Sequence, residues 1–322
     1  MRAWTIDHSA PDHLALAEHP DPEPGPGQAL IEVAAFSLNY GEAVGVVPHG
    51  ENGTVPGWDA AGVVVRAAAD GSGPAVGTRV VTLGPGGAWA ELRAVDTDWI
   101  GTLPEGVDLG EASTLPVAAG SALRGLRRLG PILGRRVLVT GAGSGVGRYT
   151  LQLAARGGAH VIALTTDPAK EETLRALGAH EVVVADRGAS GGAWLVERLS
   201  DGPVHGVIDM VGGAIRVAAY RTVAPGGTLI AMGHSSGAAE TFPHGDFAGP
   251  LGHDRAITSF FLLHDGAGIG ADLTWLAGLL ASGGLDAGVG WRGPWTGGAE
   301  ALAALAEGKV PGKAVLDLPS AT

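Results

Sequence analysis

The 322-residue sequence predicts an α/β fold in which an antiparallel, barrel-like β domain is joined to a doubly wound parallel sheet. Three observations predict it. From Met1 to about Leu115, short strand-like runs are separated by Pro- and Gly-rich turns, the spacing of an antiparallel β domain. From about Ala118, strands and helices alternate in βα units of the length that builds a parallel sheet, with ligands at the carboxyl ends of the strands. Between Arg136 and His160, in RVLVTGAGSGVGRYTLQLAARGGAH, an apolar strand runs through a glycine turn straight into helical periodicity.

The first domain is expected over residues 1–117. Its strands are AWTI, ALIEVAAFSL, AAGVVVRAAA, RVVTL and AWAELRAV, and PDPEPGPG before the second reads as a stiff turn. Three of its stretches could carry chemistry: Ser37 to Tyr40, Gly57 to Asp59, and Thr114 to Val117.

The second domain is expected over residues 118–265. A helix from Ala118 to Leu129 is closed by Pro131 and Gly134, and the strand Val137–Val139 follows. Then come HVIALT, a helix from Ala169 to Leu177, and the strands EVVVA, GVIDMV, GTLIAMG and RAITSFFLLH. The Phe260-Phe261 pair in the last of these suits core or a dimer interface. Residues 266–322 give a helix from Ala271 to Ala281, a loop holding Trp291 and Trp295, a helix from Ala299 to Glu307, and the strand KAVLDL. This tail is too small for a core of its own, so it is expected to pack back on the first domain.

Composition narrows the partners. Hydrophobic residues at 45% and charged residues at 17% allow sizeable cores. A net charge of −12 opposes binding to nucleic acid or an anionic membrane surface. No run approaches the ~18 apolar residues of a membrane span, and MRAWTIDHSAPDH lacks a basic-then-apolar secretory pattern, so a cytoplasmic protein is expected. The absence of cysteine excludes disulfides, thiolate chemistry and cysteine-built zinc sites. The eleven histidines show no H-x-x-x-H pairing, so no metal site is expected.

In the glycine turn, Gly141, Ser144, Gly145, Val146 and Gly147 bring bare backbone to a helix N-terminus, whose free N–H groups and dipole suit a pyrophosphate. The strict G-x-G-x-x-G is not met, because Arg148 stands at the last place after Gly143 and Gly145. Val211, and the stretch Gly233, His234 and Ser235, end two later strands on the side where a dinucleotide would lie.

The order of these pieces resembles the medium-chain dehydrogenase/reductase superfamily and, within it, the zinc-free quinone oxidoreductase and enoyl reductase branch. The resemblance covers nearly the whole chain. It rests on PEPGPGQALIEV, SLNY, VPGWDAAGVV, GGAWAEL, LPEGVDLGEASTLPVA, VLVTGAGSGVG, LRALGA, APGGTLIAMGHSSG and GKAVL. It implies a GroES-like substrate domain, an inserted Rossmann domain, a cleft between them and a homodimer. Zinc-using relatives place a Cys where this sequence has Asn39 and a His-Glu pair where it has Trp58-Asp59, leaving only Asp59 able to bind a metal. Three protein ligands are needed for a catalytic zinc.

Without zinc, alcohol oxidation loses its Lewis acid. Hydride delivery to an enone or quinone instead places charge on an oxygen that hydrogen-bond donors can hold. The resemblance sets Asn39 and Tyr40 beneath the nicotinamide, as candidate oxyanion and proton donors. Each has a plain alternative, Asn39 as a cap and Tyr40 as a packing residue. Trp58 would floor a pocket suited to an aromatic or quinone-like substrate, and Asp59 would orient a neighbour or bond to backbone. At the end of the second strand Thr165 stands where NAD-specific relatives carry an acid, followed by Thr166, Asp167 and Lys170. Two hydroxyls and a lysine fit a 2′-phosphate, so NADPH is expected over NADH. Lys313 falls at a position that approaches the pyrophosphate, or is a surface lysine. The function implied is NADPH-dependent reduction of a conjugated C=C or a quinone, as in the tailoring of aromatic polyketides. The alternative is a non-catalytic NADPH-binding or structural protein on the same scaffold.

Overall fold

A computed structural model describes residues 1–185, 193–199, 201–248 and 252–319. Within them the chain divides into two units, Met1–Gly120 with Leu263–Thr322, and Ser121–Leu262. Along the first unit run β1 (Arg2–Ile6), β2 (Leu14–Glu18), β3 (Gln28–Leu38), β4 (Asp59–Arg66), β5 (Arg79–Leu83), β6 (Leu92–Asp96) and β7 (Ile100–Thr102). The second unit contributes β8 (Arg136–Val139), β9 (His160–Thr165), β10 (Glu181–Val184), β11 (Val204–Asp209), β12 (Val223–Ala231) and β13 (Ala256–Ser259). The chain then returns to the first unit as β14 (Val289–Pro294) and β15 (Lys313–Asp317).

The first unit is built on β3. It is eleven residues long, and register shifts at Leu30/Ile31 and Val33/Ala35 bend it. Residues Gln28 to Glu32 therefore pair with β6, and residues Ala35 to Leu38 pair with β15. The sheet order is β14-β15-β3-β4-β5-β7, with β6 on β3. Because Ala314 lies opposite Leu38, the pairing carries Lys313 to the end of β3, beside Asn39.

Four aromatic side chains fill this unit's core: Trp4, Phe36, Trp89 and Trp295. Phe36 stacks on Trp89 at 5.9 Å, and the Trp4 indole donates to the Trp295 carbonyl at 2.9 Å. The second of these contacts docks the returning segment. Trp291 does not lie in a loop as expected. It sits on β14, an alternately exposed strand parallel to β15, in a stretch whose Gly290, Gly293 and Pro294 read as breakers in the sequence.

The second unit is a parallel sheet in the order β10-β9-β8-β11-β12-β13. Val137, Leu138 and Val139 are fully buried, as a strand covered on both faces requires. Numbered within the unit the order is 3-2-1-4-5-6, and the direction of winding reverses between β8 and β11, which places a nucleotide site at their carboxyl ends. The sixth strand is shorter than RAITSFFLLH suggested, covering Ala256–Ser259. Phe260 still donates its N–H to Ala231 and lies buried beneath the Arg128 guanidinium, whereas Phe261 is exposed. The sequence reading passed over β2, β7 and the helix Gly213–Arg221. β2 is LALAE, whose Ala and Glu content hides a strand. No described helix is long and apolar enough to cross a membrane.

Candidate functional site

Each unit holds its own set of candidate residues. In the second unit, β8 ends in the glycine turn, where Gly141 adopts φ +60 and Ser144 caps the helix Gly145–Arg156. The Ser144 hydroxyl accepts the Gly147 N–H at 3.1 Å, the N-cap bond expected of a serine. A Cβ on Gly147 would lie 2.4 Å from the Gly141 carbonyl oxygen and 2.7 Å from the Ala142 Cα. Gly147 is therefore the close-packing glycine that joins turn to helix. Gly147→Val is expected to force the turn open at a cost of about 1–3 kcal/mol. The checks are a lower thermal midpoint and loss of nicotinamide-nucleotide binding by fluorescence titration.

Lys170 reaches this turn. A Cβ on Gly143 would stand 3.0 Å from the Lys170 Cδ and 3.3 Å from its Nζ, which places the ammonium over bare backbone. Of the other residues after β9, Thr165 is buried, and its hydroxyl accepts the Asp167 N–H at 3.1 Å. Asp167 caps the following turn through the Ala169 N–H at 3.0 Å, and Thr166 is exposed. The geometry thus brings Lys170 to the glycine turn and commits Thr165 and Asp167 to shaping the loop.

Val211 also lies against the turn, its Cγ2 within 3.3 Å of a Cβ on Gly141. The ends of β11 and β12 are tied by Arg216, which bonds Asp209 at 2.7 Å, Glu240 at 2.8 Å and the Gly233 carbonyl. Fully buried Asp209 also accepts the Val211 and Gly212 N–H groups. His234 meets Glu240 at 3.2 Å, and the Ser235 N–H bonds the Met210 carbonyl.

In the first unit, Asn39, Asp59 and Lys313 meet in the interior. The Lys313 Nζ donates to the Leu38 carbonyl at 2.9 Å, to the Asn39 Oδ1 at 2.6 Å and to the Asp59 Oδ2 at 3.3 Å. The Asn39 Nδ2 donates to Asp59 at 2.8 Å and to Glu42 at 3.2 Å. Asp59 further accepts the Ser37 hydroxyl at 2.8 Å and the Val117 N–H at 2.9 Å, which draws in two of the three stretches flagged in the sequence. Both hydrogens of the Asn39 amide are thereby engaged inside the protein. Tyr40, the next residue, is 42% exposed.

Glu42 is fully buried and accepts the Asn39 backbone N–H at 2.7 Å and the Trp58 N–H at 2.6 Å. Burial and then the neighbouring Asp59 push its carboxyl up to about 8, against the pull of those N–H donors and Lys313. Arg93, buried on β6, feels the Asp59 and Glu42 carboxyls, which raise its guanidinium, but the larger effect of burial lowers it to about 10. A carboxyl raised by folding takes up a proton between about pH 4.5 and about 8, so its contribution to stability declines as pH rises through that window. Urea midpoints of the wild type and Glu42→Gln are expected to diverge accordingly, with the wild type losing ground toward pH 9.

Residues 25–105 match the alcohol dehydrogenase GroES-like domain family, and residues 145–271 match the zinc-binding dehydrogenase family. The chain is 33% identical over 196 residues to the 2-methylene-furan-3-one reductase of Solanum lycopersicum, covering 56% of this chain and 50% of that protein. It is 32% identical over 225 residues to the spectinabilin polyketide synthase system protein NorB of Streptomyces orinoci, covering 69% of this chain and 10% of that one. A mycobacterial protein solved in complex with NADPH superposes with a TM-score of 0.86 at 24% identity, over 98% of this chain and all of the other. The chain belongs to the medium-chain dehydrogenase/reductase superfamily. It spans half the length of the tomato relative and a tenth of the synthase.

The donor set in this medium-chain dehydrogenase/reductase does not fit a catalytic zinc. Asp59 has both oxygens engaged, the Lys313 ammonium bonds both it and Asn39, and no group of three His, Cys, Asp or Glu among the described residues could hold a metal. Its nucleotide-binding groups do fit a dinucleotide: a capped helix N-terminus, a turn whose backbone a Cβ would fill, and a lysine over it. Glu42 escaped the sequence reading. Asn39-x-x-Glu42 is the spacing of a capping box, in which an acid at the third helical position bonds the cap's backbone N–H, and that pattern could have revealed it.

Proposed function

We propose that the protein is an NADPH-dependent, zinc-independent reductase of a conjugated C=C in an enone or enoyl substrate, or of a quinone. The observation that carries this reading is the Lys313 ammonium bonded to Asn39 and Asp59 where a metal-dependent relative needs ligands, next to the exposed hydroxyl-bearing Tyr40. When bound, NADPH supplies a hydride. The chain's own residues hold the cofactor and manage the charge. The N-terminus of helix Gly145–Arg156 takes its pyrophosphate, and Lys170, at the edge of the turn, takes its 2′-phosphate. As the β-carbon gains the hydride, the C=C electron pair moves to the carbonyl oxygen, and the Tyr40 hydroxyl donates a hydrogen bond or its proton to that oxygen. Solvent then protonates the α-carbon, which completes the saturated product, and restores any proton that Tyr40 has given up. Trp58, packed on Gly41, offers a flat apolar wall to an aromatic substrate.

The names of two relatives support this reading, since one is a reductase of a methylene-furanone and one belongs to a polyketide synthase system. The NADPH bound to a structural neighbour supports the cofactor. The test is NADPH oxidation against a panel of enones, enoyl thioesters and quinones. Turnover of none of them, with NADPH bound, would sink the reading. Lys170→Glu is expected to weaken NADPH about ten- to a hundredfold, the value of one charge-assisted hydrogen bond, with little change for NADH. Titration of both nucleotides checks it.

A further inference from the structure

We infer that Lys313 is a positioning residue for Tyr40, acting through Asn39, and not a ligand of the cofactor's phosphates. The inference rests on the reading of Tyr40 as the donor to substrate.

An ammonium has three N–H groups, and those of Lys313 have three acceptors: a backbone carbonyl, an amide oxygen and a carboxylate. The side chain is 4% exposed. An external phosphate could recruit it only by drawing one of its N–H groups away from Leu38, Asn39 or Asp59 in the interior. The same ammonium fixes the orientation of the Asn39 amide. With Oδ1 facing Lys313 and Nδ2 facing Glu42 and Asp59, a flipped amide would set NH₂ against NH₃⁺ and its oxygen against two carboxyls.

This locks one neighbour of Tyr40 on its N-terminal side. Gly41, on its C-terminal side, is held as closely, because a Cβ there would stand 2.9 Å from the Trp58 ring. Trp58 is itself anchored by its N–H to Glu42 and by its carbonyl to the Arg93 guanidinium at 3.0 Å. Tyr40 is thus an exposed side chain between two immobilised residues. Its polar anchor is the Lys313–Asp59 ion pair, with the Glu42 carboxyl and the Arg93 guanidinium close by. A hydroxyl that must meet developing charge needs such support, because placement errors near 1 Å cost orders of magnitude in rate.

The sequence contains three tyrosines, and Tyr149 and Tyr220 are buried in the other unit. The full chain labelled with 3-fluorotyrosine therefore gives three fluorine resonances, with Tyr40 assigned by its loss in Tyr40→Phe. In Lys313→Met the Tyr40 resonance is expected to shift or broaden while the other two stay in place. In the same variant kcat is expected to fall about a hundredfold with NADPH affinity unchanged. Should Lys313→Met fail to fold, Lys313→Met/Asp59→Asn removes both charges together and takes the same measurements. An unmoved Tyr40 resonance, or weakened NADPH binding with kcat intact at saturating cofactor, overturns the inference. The two readings separate cleanly. If Tyr40→Phe keeps full activity while Lys313→Met still moves the Tyr40 resonance, positioning stands and the donor role fails. If Tyr40→Phe is crippled and Lys313→Met leaves resonance and kcat alone, the donor role stands and positioning fails.

Discussion

Tyr40→Phe is expected to lower kcat by about a hundred- to a thousandfold, the loss found when one preorganised donor to a developing oxyanion is removed. NADPH affinity should not change, because the bond strengthens only in the transition state. Asn39, the other candidate, has both amide hydrogens engaged with Asp59 and Glu42, whereas Tyr40 is 42% exposed. Single-turnover kinetics with an enone substrate, alongside a thermal melt to confirm folding, measure the effect. Near-normal kcat with a well-bound substrate would make Tyr40 a packing residue.

Asp59→Ala is expected to cost about 3–5 kcal/mol of stability, the penalty for leaving a buried charge without its partner. Asp59 is fully buried and accepts from Ser37, Asn39, Val117 and Lys313, so its loss strands an ammonium and frees three other donors. Adding Lys313→Met to Asp59→Ala should recover much of the loss, since the stranded ammonium is then gone. Urea unfolding of the two single variants and the double one closes the cycle. Additive losses would show that the two groups do not interact.

The nucleotide-binding half was the more legible. Its signals are local: an apolar strand, a glycine turn and a helix follow one another within 25 residues, and each reports its own backbone need. Even so, the role of Gly147 as the glycine packed on Gly141 and Ala142 came from geometry, since the strict spacing fails at Arg148. Trp291 was misplaced because glycines and a proline that interrupt a strand look like loop chemistry when the parallel partner β15 is out of sight.

By itself the sequence determined the two-part α/β architecture, the glycine turn and the return of the C-terminal segment, and it singled out Asn39, Tyr40, Trp58 and Asp59 as candidates. Periodicity, turn chemistry and motif order are written along the chain. Only the tertiary structure decided what those residues do to one another. Lys313 lies 254 residues from Asp59 in sequence, yet β15 pairing with β3 brings its ammonium into the carboxylate's hydrogen-bond range. No local pattern encodes that meeting, because sheet register, not sequence neighbourhood, selects which buried charges face each other and which side chain is left pointing outward.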